Sequence, residues 1–349
     1  MKTTFISTSS ISAATRLSLM KVQQQLADAQ QEMTSGRFAD VGKALGFKTG
    51  QSISLRQEQT RLNSIIETNT TVSSRLEASQ AALENLVSNA QLFVDQALAS
   101  RSGGSSALVI KEVATSSLET FADTVNTSFG GTYLFSGVNT DAKPIADYYT
   151  TPTSASQQGV ANAFLAAFGI SQSSPTAVNI SAAAMQAFLD TPFSDLFADP
   201  SWITDWSSAS NQNVRNRIST NELIETSVNA NDDAFRQLAK AYTMVADLGV
   251  ENLNRDTYEA VINQAMTDAS EAIQKISQLQ SSLGVAQQRV SDASERMTVQ
   301  MDIIAKHVVS LEGVDPNEAS TRVTELLTQV ETSYALTARI MGLSILNYL

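Results

Sequence analysis

Apolar side chains recur along this chain at alternating three- and four-residue steps in two long stretches. The first runs Leu55, Glu58, Leu62, Ile65, Asn69, Val72, Leu76, Ser79, Leu83, Leu86, Ala90, Phe93 and Ala97, with only Glu58, Asn69 and Ser79 breaking the apolar series. The second runs Ile262, Ala265, Ala269, Ala272, Ile276, Leu279, Leu283, Ala286, Val290, Ala293, Met297, Gln300, Ile304, His307 and Leu311. A 3.5-residue period held this long predicts a coiled-coil seam and not an ordinary surface helix. No Gly or Pro interrupts Gln51 to Ser102, and Gly284 alone weakens the second stretch, by about 1 kcal/mol relative to Ala. The two stretches are far apart in sequence and similar in length, so the simplest arrangement pairs them antiparallel, each stripe serving as intramolecular core. A third helix is predicted over Ser106 to Phe129, offering Ile110, Leu118, Phe121, Val125 and Phe129 to the same bundle.

Both chain ends carry shorter stripes. Leu19, Val22, Leu26, Ala29 and Met33 form a heptad run that Gly36 ends, and a glycine-bearing, loop-like stretch follows to Gly50. At the other end Asp315 is placed to cap a helix with Pro316 at its first position and Glu318 completing a capping-box-like pair. Val323, Leu326, Val330, Ile340, Leu343 and Leu346 give that helix a broad apolar face. Burying a Leu or Ile contributes roughly 1.5–3 kcal/mol, whereas ordering a residue costs about 1–2 kcal/mol of backbone entropy. Two thin terminal helices leave much of each stripe wet, so they are expected to order fully only against other copies of the chain. The eleven side chains of the two terminal stripes, from Leu19 to Met33 and from Val323 to Leu346, are therefore the candidate assembly interface.

The centre reads differently. Five of the six prolines and both tryptophans fall between Pro144 and Trp206. Thr132 to Phe135, Thr176 to Ile180 and Arg217 to Ser227 have strand-like composition, and Ala182 to Leu189 looks like a short helix. The expected fold class is mainly α: a long helical coiled-coil bundle with a small mixed α/β or β-rich insertion. The expected division is 1–45 with 312–349 as terminal helices, 46–135 with 236–311 as the bundle, and 136–235 as a surface insertion.

Charge and composition remove several function classes. The chain has 349 residues, a formal charge of -12 and no Cys. The acidic balance argues against nucleic-acid partners, which need a basic footprint. Without Cys there is no disulfide framework or thiolate metal site. No run of 18 apolar residues is long enough to cross a membrane, and the start of the sequence lacks a secretory signal. His307 is the only histidine, which rules out a multi-His metal site, and its place on the second stripe reads as a register-setting polar residue in a coiled coil. Asp232 and Asp233 read as helix-start carboxylates preceding Phe235 to Leu248. Gly42, Gly46, Gly50 and Lys48-Thr49 do not meet the spacing of a phosphate loop. Trp202 and Trp206 read as the insertion's own core. No catalytic, cofactor-binding or metal-ligating set emerges, and an enzyme is not expected.

Particular residues sharpen the reading. Met33-Thr34-Ser35-Gly36-Arg37 is similar to the Ser-Gly-Arg/Lys turn that closes the first helix of flagellins, although Asp40-Val41-Gly42-Lys43 stands where that family often has an Asp-Asp pair. Gly131-Thr132-Tyr133-Leu134-Phe135-Ser136-Gly137, followed by Lys143-Pro144-Ile145, resembles an aromatic-glycine element of the family's hook–filament junction members. The ending Leu343-Ser344-Ile345-Leu346-Asn347-Tyr348-Leu349 also resembles those members. The resemblance to the flagellin family implies a structural subunit of the bacterial flagellum, either a junction adaptor or a flagellin forming the filament itself. It implies terminal helices lining an inner tube, a bundle forming an outer wall and the insertion as an external knob. It also implies an extracellular place on the flagellum, reached unfolded through flagellar type III export without a cleaved signal peptide. The implied partners are copies of the chain in a ring, the hook-side junction protein, flagellin, and an export chaperone shielding the C-terminal helix.

Overall fold

The structure, a computed structural model, describes residues 8–101 and 106–342. They form nine α-helices and two short hairpins: α1 (Thr8–Ser35), α2 (Val41–Leu45), α3 (Thr49–Arg101), α4 (Ala107–Val125), β1 (Ser128–Phe129), β2 (Thr132–Tyr133), α5 (Ala155–Phe168), α6 (Ala182–Phe188), β3 (Arg215–Ser219), β4 (Glu222–Glu225), α7 (Asp233–Asp247), α8 (Arg255–Glu312) and α9 (Pro316–Gly342). The chain divides into two compact units, one of residues 1–64 and 296–349, the other of residues 65–295. In both units, the backbone follows the predicted mainly helical class.

In the unit of residues 65–295 the predicted stripe of α3 is buried from Asn69 to Ala97, and that of α8 from Ile262 to Ala293 except for the half-buried Leu279. The two helices run antiparallel: Asn69 Nδ2 donates to Ser294 Oγ at 3.0 Å, Gln80 Nε2 to the Gln280 carbonyl at 2.7 Å, and Arg101 Nη1 to Asn263 Oδ1 at 2.8 Å. Asn69 Nδ2 donates a second time, to the Ile218 carbonyl at 2.9 Å, which ties α3 to β3. α7 lies at the centre of this unit and is buried nearly all round, the pattern of a core helix. Its Tyr242 ring meets Phe93 of α3 at 5.0 Å and Phe121 of α4 at 6.5 Å, both edge-on, and its hydroxyl donates to Asn89 at 3.1 Å. Asp232 caps α7 by accepting from the Ala234 amide at 3.0 Å, and Asp233 pairs with Lys275, as helix-start carboxylates.

The insertion is less β-rich than its composition suggests. Arg217 to Ser227 does form a hairpin, β3–β4, with a bulge between Arg217 and Ser219. Thr176 to Ile180 is not a strand. Pro175 opens a 3-10 turn over Pro175–Asn179 that the Ser174 hydroxyl caps, because proline presets φ and lacks the amide a ladder needs. The third predicted helix stops at Val125, four residues early, since Ser128–Phe129 turns through Gly130-Gly131 to pair with Thr132–Tyr133. α5 is not among the predicted helices; it buries Ser156, Val160 and Phe164 at four-residue spacing, with a polar serine at the first of them. Trp202 and Trp206 stack at 5.4 Å inside the insertion, continuing a run of rings through Phe197, Phe193 and Phe188 to Phe164.

Candidate assembly surface

In the unit of residues 1–64 and 296–349, α1 and α9 lie antiparallel, joined by a closed corner. Gly36 ends α1 in the left-handed region (φ 67), its amide donating to the Glu32 carbonyl at 2.9 Å. The next residues bridge to the turn before α9: Phe38 N donates to the Glu312 carbonyl and Val314 N to the Gly36 carbonyl, both at 3.0 Å. Asp315 starts α9 as expected, accepting from the Asn317 amide at 2.8 Å. Glu318 does not close a capping box, because Arg322 draws its carboxylate at 2.7 Å.

One carboxylate organises the corner. Glu312, the last residue of α8, is buried with its side chain 3% exposed. Arg56 Nε donates to it at 2.8 Å and a second Arg56 nitrogen and the Ser52 hydroxyl also bond to it, while Arg37 of the Ser-Gly-Arg turn lies at 3.4 Å. The Arg56 hydrogen bonds, backed by Ser52 and Arg37, outweigh burial and hold this carboxyl down at about 2.

Along the helix pair, Arg322 reaches Glu32 at 3.0 Å and Gln23 Nε2 donates to the Tyr334 hydroxyl at 2.7 Å. Ala29, Leu326 and Val330 are buried on this seam; Leu19, Val22, Leu26 and Val323 are half-buried; Met33 is exposed. The Ile340 side chain, Leu343 and Leu346 lie outside the described residues. Much of the sequence-named stripe is thus spent between α1 and α9. Apart from Met33, the apolar side chains turned outward lie off that stripe: Leu17, Met20, Leu327, Tyr334 and Leu336 on the pair, Ile53 on α3, Val299, Ile303 and Val309 on α8, and Phe47, 92% exposed, in a 3-10 turn over Gly46–Lys48. Their signal in the sequence is the width of the apolar face, since a seam two residues wide per turn cannot account for them.

The polar residues weighed as chemistry resolve into structure. His307 is exposed, whereas Val308 and Glu312 are buried, so the seam of α8 shifts by one residue beyond Met297. A strict heptad drifts about 20° per repeat against a straight helix, and the stripe leaves the 3.5 register here. The Gly42-to-Thr49 stretch forms α2 and the following turn, where the Thr49 hydroxyl donates to the Gly46 carbonyl at 2.7 Å. In the unit of residues 65–295, Asp247 is a half-buried acid raised by desolvation, held by the Tyr148 hydroxyl at 2.7 Å. The cavity of about 330 Å³ beside Tyr148 and Tyr149 is not lined by it. Among the described residues no cluster of His, Asp and Glu is placed to hold a metal, and no helix is long and apolar enough to cross a membrane.

Comparison with known families agrees with this architecture. Residues 6–140 match the bacterial flagellin N-terminal helical region, and residues 266–349 match the bacterial flagellin C-terminal helical region. The two matches together span more than half of the chain and leave out most of the insertion and α7. No curated protein matches the chain. A helical chain whose two ends both carry the flagellin signature, folded back on each other, belongs to the bacterial flagellin family: it is a structural, non-enzymatic component of the extracellular flagellum that assembles with copies of itself and with other flagellar axial proteins.

Proposed function

We propose that this flagellar subunit is a hook–filament junction adaptor, a ring of copies seated between the hook-side junction protein and flagellin. The aromatic-glycine element from Gly131 to Gly137 carries the reading, and the ending from Leu343 to Leu349 is its companion in the sequence. The element has a physical task in the fold. Phe135 is buried against Phe235 at 5.5 Å, its carbonyl accepts from Ala230 N at 2.8 Å, and Arg75 of α3 reaches the Tyr133 carbonyl at 2.6 Å. Gly137 (φ 62) lets the backbone pass where a Cβ would stand 2.5 Å from the Ser210 and Gln212 carbonyls. It therefore roots the insertion on the helices.

In the same reading the terminal helices line an inner tube, the bundle forms the wall and the insertion is the outer knob. The interface of Leu19 to Met33 and Val323 to Leu346 is completed by the outward Leu17, Met20, Leu327 and Leu336. An export chaperone covers the apolar face of α9 before secretion. A filament-forming flagellin is the second reading, because both family matches are to helical regions that a filament subunit also carries. Deleting the gene separates them. Loss of an adaptor leaves hooks with flagellin released into the medium. Bare hooks with no released flagellin sink the adaptor and favour the filament subunit.

A further inference from the structure

Two features of the unit of residues 1–64 and 296–349 are complementary. The first is a knob. Phe47 is presented on a fixed turn: Gly46 N donates to the Gly42 carbonyl, Asp40 caps α2 through Lys43 N at 2.9 Å, and Thr49 bonds back to Gly46 at 2.7 Å. Lys43 and Lys48 flank the ring, both exposed and neither in an ion pair among the described residues. The second is a socket. A cavity of about 240 Å³ opens on the α1–α9 seam, lined by Gln25, Asp28, Ala29, Glu32, Arg322 and Leu326. Its lining is mixed: Ala29 and Leu326 supply buried apolar surface between the polar side chains. Glu32 is neutralised by Arg322, whereas Asp28 accepts a hydrogen bond from Gln24 at 2.9 Å and meets no cation among the described residues. A cavity of roughly 150 Å³ is enough to hold a benzene ring.

We propose that Phe47 of one copy seats in the Ala29–Leu326 socket of the next, with Lys48 against Asp28. The inference rests on the reading that the chain assembles with itself through its terminal unit, and it names the contact. An aromatic anchor against a buried apolar patch, here Ala29 and Leu326, with charged groups beside it is a common anatomy of an interface hot spot. Ring and socket are different patches of one chain, so the contact is heterologous and propagates head to tail, closing as a ring or continuing as a helix according to the rotation between copies.

The chain has no Cys, so an engineered pair reports without background. Gln25→Cys with Lys43→Cys leaves Phe47, Lys48 and Asp28 in place. Full-length assembled protein, oxidised and run without reductant, is expected to give a ladder of multimers, because a head-to-tail contact links every copy to two others. Phe47→Ala is expected to raise the concentration needed for assembly at least tenfold. Lys48→Glu and Asp28→Lys should each impair assembly and restore it together. Dimers only, an internal disulfide in monomers, or assembled material without any cross-link overturns the proposal, as does a Phe47→Ala variant that assembles like the parent. If Leu336→Asp still blocks assembly in that case, the broader reading of the terminal unit stands and only this contact fails.

Discussion

Glu312 shows how one side chain sets the condition under which the terminal corner holds. Its carboxyl is held at about 2 against an ordinary 4.5, chiefly by Arg56. Folding thus favours the charged form, and that stabilisation is complete above about pH 4.5 and disappears as the pH falls through about 2. Taken in full the shift would correspond to about 3 kcal/mol at neutral pH, and solvent screening at the half-exposed arginines lowers it to about 1–2 kcal/mol. Glu312→Gln keeps the shape and can still meet Ser52, while the abandoned Arg56 and Arg37 are partly solvated and cost little. The variant is expected to lose about that amount at pH 7 and to show no acid-dependent loss between pH 5 and 2 in this corner. Amide protection factors in α9, corrected for intrinsic exchange, measure it; an unchanged pH slope would mean that Glu312 is not the acid-sensitive group.

At the scale of elements, α1 and α9 form a two-helix layer that buries one stripe and exposes another. Substitutions on the two stripes should separate folding from assembly. Leu26 is half-buried on the seam, so Leu26→Asp forces a charge against α9 and is expected to destabilise the pair by about 2–3 kcal/mol while assembly fails as a consequence. Leu336 points outward, so Leu336→Asp should shift stability by no more than about 0.5 kcal/mol yet block assembly directly. Paired measurements of helix unfolding and sedimentation test the distinction, and equal destabilisation by both would remove it. α7 makes the opposite point. Ten of its residues are buried, its Tyr242 contacting aromatic rings of both α3 and α4, and so it acts chiefly to stabilise the unit of residues 65–295.

For the whole molecule, the division into two compact units makes truncation informative. Both tryptophans lie buried in the unit of residues 65–295, so their emission reports on that unit alone. Removing residues 318–349 takes away nearly all of α9. The truncated chain is expected to lose assembly while its tryptophan-monitored unfolding midpoint stays within about 1 kcal/mol of the parent in free energy. A midpoint that falls with the truncation would show the two units to be one cooperative system. The two units differ in surface: residues 136–235 carry 10 acidic and 3 basic side chains, whereas α1 and α9 expose Leu17, Met20, Leu327 and Leu336.

Periodicity by itself determined the long helices, their antiparallel pairing and the stripes of α3 and α8, because a repeat near 3.5 leaves few other ways to bury that many apolar residues. Local chemistry likewise determined the Gly36 stop, the Asp315 start and the Asp232 cap, each set by a side chain within a few residues. The tertiary structure alone decided what depends on distant partners. Glu312 becomes the corner's anchor only when Arg37, Ser52 and Arg56 converge on it. His307 leaves the seam because a straight α8 drifts out of the heptad. The strand-like Thr176 to Ile180 yields to Pro175 and its Ser174 cap. Leu26 and Leu336 look alike in a list of apolar positions, and only the packing of α1 on α9 tells which one faces a neighbouring helix of its own chain and which one faces outward. A one-dimensional pattern records that a face is apolar; which part of it the fold consumes depends on how far apart the helices stand in space.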